Sequence, residues 1–168
     1  MSGRDRVRER DIVIVGGGFA GVWAALSGAG LRGEAGVPGL AIALVSPREQ
    51  LVIRPRLYEQ NPQRMTVPLR RILVPVAVEH VRATATDIDT VSRTVTIASG
   101  GGPPARLVYR RLILASGSEL APPRLPGSEH LHDVDTLETA AALDGHLRRV
   151  ATAGRDGRSA IVVGAGFT

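Results

Sequence analysis

Three glycines at fixed spacing, Gly16-x-Gly18-x-x-Gly21 in "DIVIVGGGFAG" (11–21), are the residues of this chain with the clearest chemical use. "IVIV" (12–15) precedes them, a short apolar run of the kind buried on both faces of a parallel sheet. After them the pattern turns helical. Phe19, Val22, Trp23 and Leu26 share a face, with Ala24, Ala25 and Ala29 filling in. The first turn of a helix holds unpartnered N–H groups and the positive end of the helix dipole, so it attracts phosphate. In such a turn Gly16 makes the tight bend, Gly18 lets the backbone approach a pyrophosphate, and Gly21 lets the helix pack close to the strand. With Gly17, Phe19 and Ala20 they form a candidate dinucleotide cradle. A glycine turn kept only for packing is the plainer alternative. The buried strand before it and the apolar-faced helix after it favour the cradle.

The elements around the turn agree. "LAIALV" (40–45) reads as a second buried strand, which completes a right-handed βαβ unit and requires a parallel sheet. An acidic residue commonly ends this second strand and takes the ribose hydroxyls. Here the end reads Ser46, Pro47, Arg48. Ser46 can accept a hydrogen bond without charge. A neutral residue followed by Arg also suits a 2′-phosphate, so NADP in this first cradle stays open.

Further on, prolines at 47, 55, 62, 68 and 75 permit only short helices, with "RLYEQ" (56–60) and "PLRRIL" (68–73) as candidates. Segments 81–89 and 93–98 alternate and are rich in β-branched residues, so they read as neighbouring strands joined by "TVS" (90–92). "RLVY" (106–109) reads as a third short strand, and "LILASGS" (112–118) as a return to the parallel sheet. "APPRLPG" (121–127) is stiff. Asp135 and Glu138 have capping-box spacing before a helix carrying Leu137, Ala140, Ala141, Leu147 and Val150. "AIVV" (160–163) begins another buried strand, and "VGAGFT" repeats the glycine phrase with Gly164 and Gly166. The expected organisation is a polar arm at 1–10, a first fold at 11–120, a linker at 121–135 and the start of a second fold at 136–168. The expected class is α/β: a Rossmann-like fold with a parallel sheet and a small antiparallel β layer.

Composition narrows the function. The 168 residues include 43% hydrophobic and 22% charged side chains, a globular balance, while aromatics at 3% leave the core to Val, Ile, Leu and Ala. The net charge of +5 comes entirely from Arg, since Lys is absent. These arginines are scattered, and no nucleic-acid surface is expected. The absence of Cys removes disulfides, thiolate metal sites and a redox-active Cys pair. His130 and His132 lie i, i+2 in a loop, below any metal-binding pattern, and His80 and His146 read as surface residues. No apolar run reaches the roughly 20 residues of a membrane span. The N-terminus lacks a secretory pattern. A soluble cytoplasmic protein is the expectation.

Residues 11–168 resemble the front of the two-dinucleotide flavoproteins, the FAD-dependent pyridine-nucleotide oxidoreductases, with type II NADH dehydrogenases as the nearest branch. "VIVGGGFAG", "LVSPREQLVIRPRLYE", "YRRLILASGS" and "IVVGAGFT" carry the resemblance, in the order the family has them. It implies that FAD occupies the first cradle, that NAD(P)H is the co-substrate in the second, and that hydride passes between them. By resemblance, Arg48 sits near the adenosine half, Arg54 and Pro55 beside the isoalloxazine, and Ala85 where a strand backbone reaches adenine. Ala115, Ser116 and Gly117 match the family's Ala-Thr-Gly turn, with Ser in place of Thr. Arg110 stands near that signature's usual Asp. The implied acceptor is a quinone-like small molecule or a redox protein, and peripheral membrane contact is assigned to the family's C-terminal part. The second glycine phrase stops one position before its last glycine, so an N-terminal portion of a longer enzyme is expected. The alternative is a nucleotide-binding module without turnover.

Overall fold

The computed structural model describes residues 8–121, 124–152 and 159–163. The chain divides into two compact units, the first from 1–51 and 67–117, the second from 52–66 and 118–168. The first unit opens with β1 (Arg8–Val15), α1 (Phe19–Glu34) and β2 (Ile42–Ser46). Next come β3 (Gln50–Val52) and β4 (Thr66–Pro68), which pair as a small separate sheet, and α2 (Leu69–Leu73). β5 (Glu79–Arg82), β6 (Thr84–Asp89), β7 (Thr94–Ala98) and β8 (Ala105–Leu114) follow. The large sheet has the order β5-β2-β1-β8-β7-β6. β5, β2, β1 and β8 are parallel, while β6 and β7 run antiparallel at one end. This is the expected α/β fold.

The unbroken apolar runs of β1 and β2 are explained by burial on both faces. Ile14 and Leu44 pack under α1 with Val22, Ala25, Leu69, Leu73 and Val78. Val13, Val15 and Val45 point the other way, into a second cluster with Ala83, Val95, Ile97, Leu107 and Tyr109. The antiparallel strands thus cover the face that α1 leaves bare. A local irregularity sits in β1, where the N–H groups of Asp11 and Ile12 both donate to the Ala41 carbonyl, at 3.0 and 3.1 Å. One carbonyl thus serves two consecutive N–H groups at the entry of the β1–β2 pairing, while the register of β1 with both neighbours stays unbroken. The Asp11 carboxylate holds the place by accepting from the Ala41 N–H at 2.8 Å and from Arg110 at 3.3 Å. Arg32, in the last turn of α1, donates to the carbonyls of Leu40 (3.3 Å) and Val76 (2.6 Å), which fixes the loop that follows the helix.

The structure departs from the sequence expectations in several places. β1 begins at Arg8, so residues 8–10 belong to the sheet; Arg10 is held there by Glu79, with Nε 2.7 Å from the carboxylate. α1 continues through Gly30 and Gly33 to Glu34, and its buried side is Gly21, Val22 and Ala25. Phe19 and Trp23 are 42% and 65% exposed, because the helix meets the sheet through its small residues. Segment 81–89 is divided: β5 adds to the parallel sheet beside β2, and β6 starts after buried Ala83. Segments 106–109 and 112–114 are one strand, β8. It pairs with β1 at 107–114 and with β7 only at 105–108, so among the described residues no strand lies along its outer edge at 110–114. Ile113 and Leu114 are exposed there.

In the second unit, Leu57, Met65 and Ala140 form a small core with Val52, Ile53, Val134 and Leu137. Leu57 and Met65 follow two single-turn 3₁₀ helices, Arg54–Arg56 and Pro62–Arg64, so "RLYEQ" is not an α-helix. The α3 helix (Leu137–Thr152) is as expected, but its cap is Thr136 with Thr139 rather than Asp135 with Glu138. Each threonine hydroxyl accepts from the other's backbone N–H at 3.1 Å. The expected strand at 160–163 is not formed: Ile161 and Val162 are 91% and 88% exposed, and no neighbouring strand among the described residues bonds to them. Gly164 and Gly166 lie outside the described residues. No helix among the described residues is long and apolar enough to cross a membrane.

Leu44 and Trp23 should separate core from surface. Leu44→Ala removes a fully buried side chain and should cost about 2–5 kcal/mol. Trp23→Ala should change stability by no more than about 0.5 kcal/mol. Urea midpoints of the two variants measure this, and equal shifts would contradict the packing. At the β6–β7 turn, the Asp89 carboxyl lies below its ordinary 3.8, chiefly because it accepts from the Ser92 hydroxyl and then from the Ser92 and Val91 N–H groups. A depressed carboxyl contributes stability that is complete above its unfolded value and is lost as pH falls through the folded one. Ser92→Ala should therefore move Asp89 back toward 3.8 in an NMR titration.

Candidate functional site

The carboxyl ends of β1, β2 and β8 meet at the glycine turn, where open parallel sheets bind their ligands. Gly16 has φ of +120°, and a Cβ there would lie 2.0 Å from the Ala115 carbonyl oxygen. A Cβ on Gly21 would lie 1.9 Å from the Gly16 carbonyl oxygen. Both positions are closed to any side chain by backbone. Gly17 faces Ser46, whose Oγ would be 2.5 Å from an added Cβ, with Leu69 behind it at 3.4 Å. Gly18 differs from all of these: nothing lies within 4 Å of where its Cβ would be. It sits at the N-cap of α1, in extended conformation and without a side-chain cap. The helix therefore presents its first N–H groups to open space. Exposed Phe19 and Ala20 form the first turn beside it.

Two other elements complete this place. The Gly16 N–H donates to the Val45 carbonyl at 2.9 Å, and the Ala115 N–H donates to the Val15 carbonyl at 2.8 Å. β1 thus stands between β2 and β8 as the turn begins. Ser116 and Gly117 follow Ala115 on the exposed surface, Gly117 with φ of +79°. Gly16, Gly17, Gly18, Gly21, Ser46, Ala115 and Ser116 are thereby brought into one neighbourhood.

Ser46 is not the free acceptor that the sequence suggested. It is 3% exposed, and its hydroxyl donates to the Arg48 carbonyl at 3.2 Å while accepting from the Arg48 N–H at 3.3 Å. Its carbonyl accepts from the Ala83 N–H at 3.2 Å. Beyond it, exposed Arg48 and the Glu49–Arg82 pair (2.6 Å) make up the charged rim of β2. Ala85 is on β6 opposite Ile97, partly buried against the second cluster, next to an irregularity in the β6–β7 register. Arg54 and Pro55 belong to the second unit, where Arg54 donates to the Ser118 carbonyl at 3.0 Å and to the Asp135 carboxylate. Sequence reasoning missed Leu69 as the floor behind Gly17, although the Pro68-Leu69 helix start was visible. It also missed Asp135 as the partner of Arg54. Among the described residues no cluster of His, Asp or Glu could hold a metal ion.

A parallel strand, a glycine turn closed at two positions and open at one, and a helix N-terminus beyond define a dinucleotide-binding βαβ protein. The sequence comparisons are more specific: residues 10–168 match the model of the pyridine nucleotide-disulphide oxidoreductases, and the chain belongs to that family. It is 41% identical over 162 residues to an NADH dehydrogenase-like protein of Mycobacterium tuberculosis (strain CDC 1551 / Oshkosh), with 94% of this chain and 40% of the relative covered. A demethylphylloquinone reductase of Synechocystis is 29% identical over 163 residues, again covering 94% of this chain and 40% of the relative. The sulfide:quinone oxidoreductase of Aquifex aeolicus superposes with a TM-score of 0.66 at 26% identity, over 84% of this chain and 32% of that structure. The chain thus spans about 40% of the length of these curated relatives.

Gly18 and Gly21 should part stability from binding. Gly18→Ala has room and an ordinary backbone conformation, so stability should change by no more than about 0.5 kcal/mol. Its methyl group would nonetheless enter the open space of the candidate cradle, so nucleotide affinity should fall about tenfold or more. Gly21→Ala should lose fold and binding together. Thermal unfolding with and without added dinucleotide checks both, and full affinity in Gly18→Ala would remove the cradle from the site.

Proposed function

We propose that this chain is the FAD-binding part of a flavoprotein that oxidises NAD(P)H and delivers electrons to a quinone-like acceptor. The observation that carries this reading is the open space beside Gly18, flanked by positions that backbone closes at Gly16 and Gly21. A pyrophosphate fits there because it meets helix N–H groups and no side chain. When bound, FAD supplies the hydride acceptor of the reaction. In this assignment residues 11–120 form the FAD fold, 121–135 connect it onward, and Gly164 and Gly166 begin the cradle for NAD(P)H. Ala115, Ser116 and Gly117 bring backbone to the phosphate side of the site. Arg48 and the Ala85 backbone serve the adenosine half. Arg54 and Pro55 belong to the stretch assigned to the isoalloxazine.

The chain itself contributes binding and orientation. These 168 residues hold no Cys, so they carry no disulfide relay between flavin and acceptor, and a quinone-like molecule or a redox protein is the acceptor in this reading. The name of the Synechocystis relative, a demethylphylloquinone reductase, supports the first of these.

NADP in the first cradle is the second reading, favoured by the neutral Ser46 and by Arg48 at the end of β2. A visible spectrum separates the two. The full-length protein should carry flavin bands that bleach anaerobically on adding NADH or NADPH and return with a quinone. A colourless protein that takes up no flavin, yet is stabilised by NADPH, would reverse the assignment.

A further inference from the structure

We propose that Arg54 and Asp135 form a clamp that fixes the connecting segment 118–135 onto the excursion 52–66, which makes Arg54 a positioning residue for nicotinamide delivery. The proposal rests on the reading above that two dinucleotides are brought together.

Its basis is a convergence within the second unit. One nitrogen of the Arg54 guanidinium donates to the Ser118 carbonyl at 3.0 Å, and another donates to the Asp135 carboxylate. The second oxygen of Asp135 accepts from the Leu120 N–H at 3.2 Å. The Asp135 N–H in turn donates to the Asp133 carboxylate at 2.9 Å. One ion pair therefore holds the start of the connection, at Ser118 and Leu120, and its end, immediately before the Thr136 cap of α3.

Arg54 suits this task because its planar fork reaches two acceptors at once, which the single ammonium of Lys does not reproduce. It is also well placed to hold, being fixed by Pro55 and by the Leu57 N–H bond to its own carbonyl at 3.1 Å. An isolated exposed pair contributes little to stability. Here the Asp135 side chain is only 20% exposed, and the pair ties both ends of the connection together. The effect expected is therefore on the geometry of the connection and hence on the nicotinamide side, since near-attack geometry governs hydride transfer.

The test uses Arg54→Met, Arg54→Lys, Asp135→Asn and the exchanged pair Arg54→Asp with Asp135→Arg, all in the full-length protein. The first readout is tryptic cleavage after Arg124. That residue is exposed, and it is the only trypsin site between Arg111 and Arg148. Arg54 precedes Pro55 and is not itself cut. Cleavage at Arg124, followed by the mass of its own fragments because Asp135→Arg adds a second trypsin site before Thr136, should accelerate at least about fivefold in the single variants and return toward the parent rate in the exchanged pair. The second readout is stopped-flow bleaching of the flavin. In Asp135→Asn, which leaves the residues assigned to the flavin in place, KM for NAD(P)H should rise or the bleaching rate should fall, with the flavin spectrum and stoichiometry unchanged. Unaltered cleavage and bleaching in Arg54→Met, or no recovery in the exchanged pair, would overturn the clamp. A parent protein without flavin that still shows the cleavage pattern would instead refute the functional reading and keep the clamp.

Discussion

Everything in the first unit depends on how closely backbone approaches backbone at the glycine turn. The Gly16 carbonyl stands where a Cβ on Gly21 would be, and the Ala115 carbonyl stands where one on Gly16 would be. These two contacts set the distance of α1 from the sheet and the height at which β8 ends. No side chain can substitute for them, because the obstructing atoms are main chain. The open space at Gly18 accompanies that closeness: the helix begins at the strand ends with nothing within 4 Å of where a Cβ on Gly18 would be.

The sheet then has to supply two buried faces from one pair of strands. β1 and β2 do so through their apolar runs 12–15 and 42–45, with small and branched residues packing under α1 on one side and against β7 and β8 on the other. This explains how a chain with 3% aromatic residues reaches a closed core. Aromatic bulk is not needed where alanine and valine bring helix and sheet together. Phe19 and Trp23, two of the few aromatics, stay on the outer side of α1.

Much of this was legible beforehand, because period and glycine spacing are local signals. The βαβ unit, the four candidate glycine positions 16, 17, 18 and 21 and α3 all follow from short stretches read alone, whereas Ala115–Gly117 was singled out by resemblance to a family signature. The errors arose where tertiary partners decide. The wheel of α1 could not tell that small residues rather than Phe19 and Trp23 would face the sheet. The alternation at 81–89 gave no hint that Ala83, bonded to the Ser46 carbonyl, would split it into two strands. Ser46 was read as available to a ribose because the pairing of its hydroxyl with Arg48 depends on a turn that spacing alone does not reveal. The cap of α3 moved by one residue because Asp135, the better capping residue by type, is engaged by Arg54.

The outer edge of β8 at 110–114 has a consequence for how such a chain behaves while it folds. A strand edge with unpaired backbone groups is a template for any other strand that reaches it, including the same edge on another copy. Arg110 and Arg111 stand at the start of this edge, both exposed, ahead of the apolar Leu112, Ile113 and Leu114. Two copies meeting there would bring guanidinium groups together before their apolar residues could join. Like charges at the head of an apolar edge disfavour its pairing with a second copy.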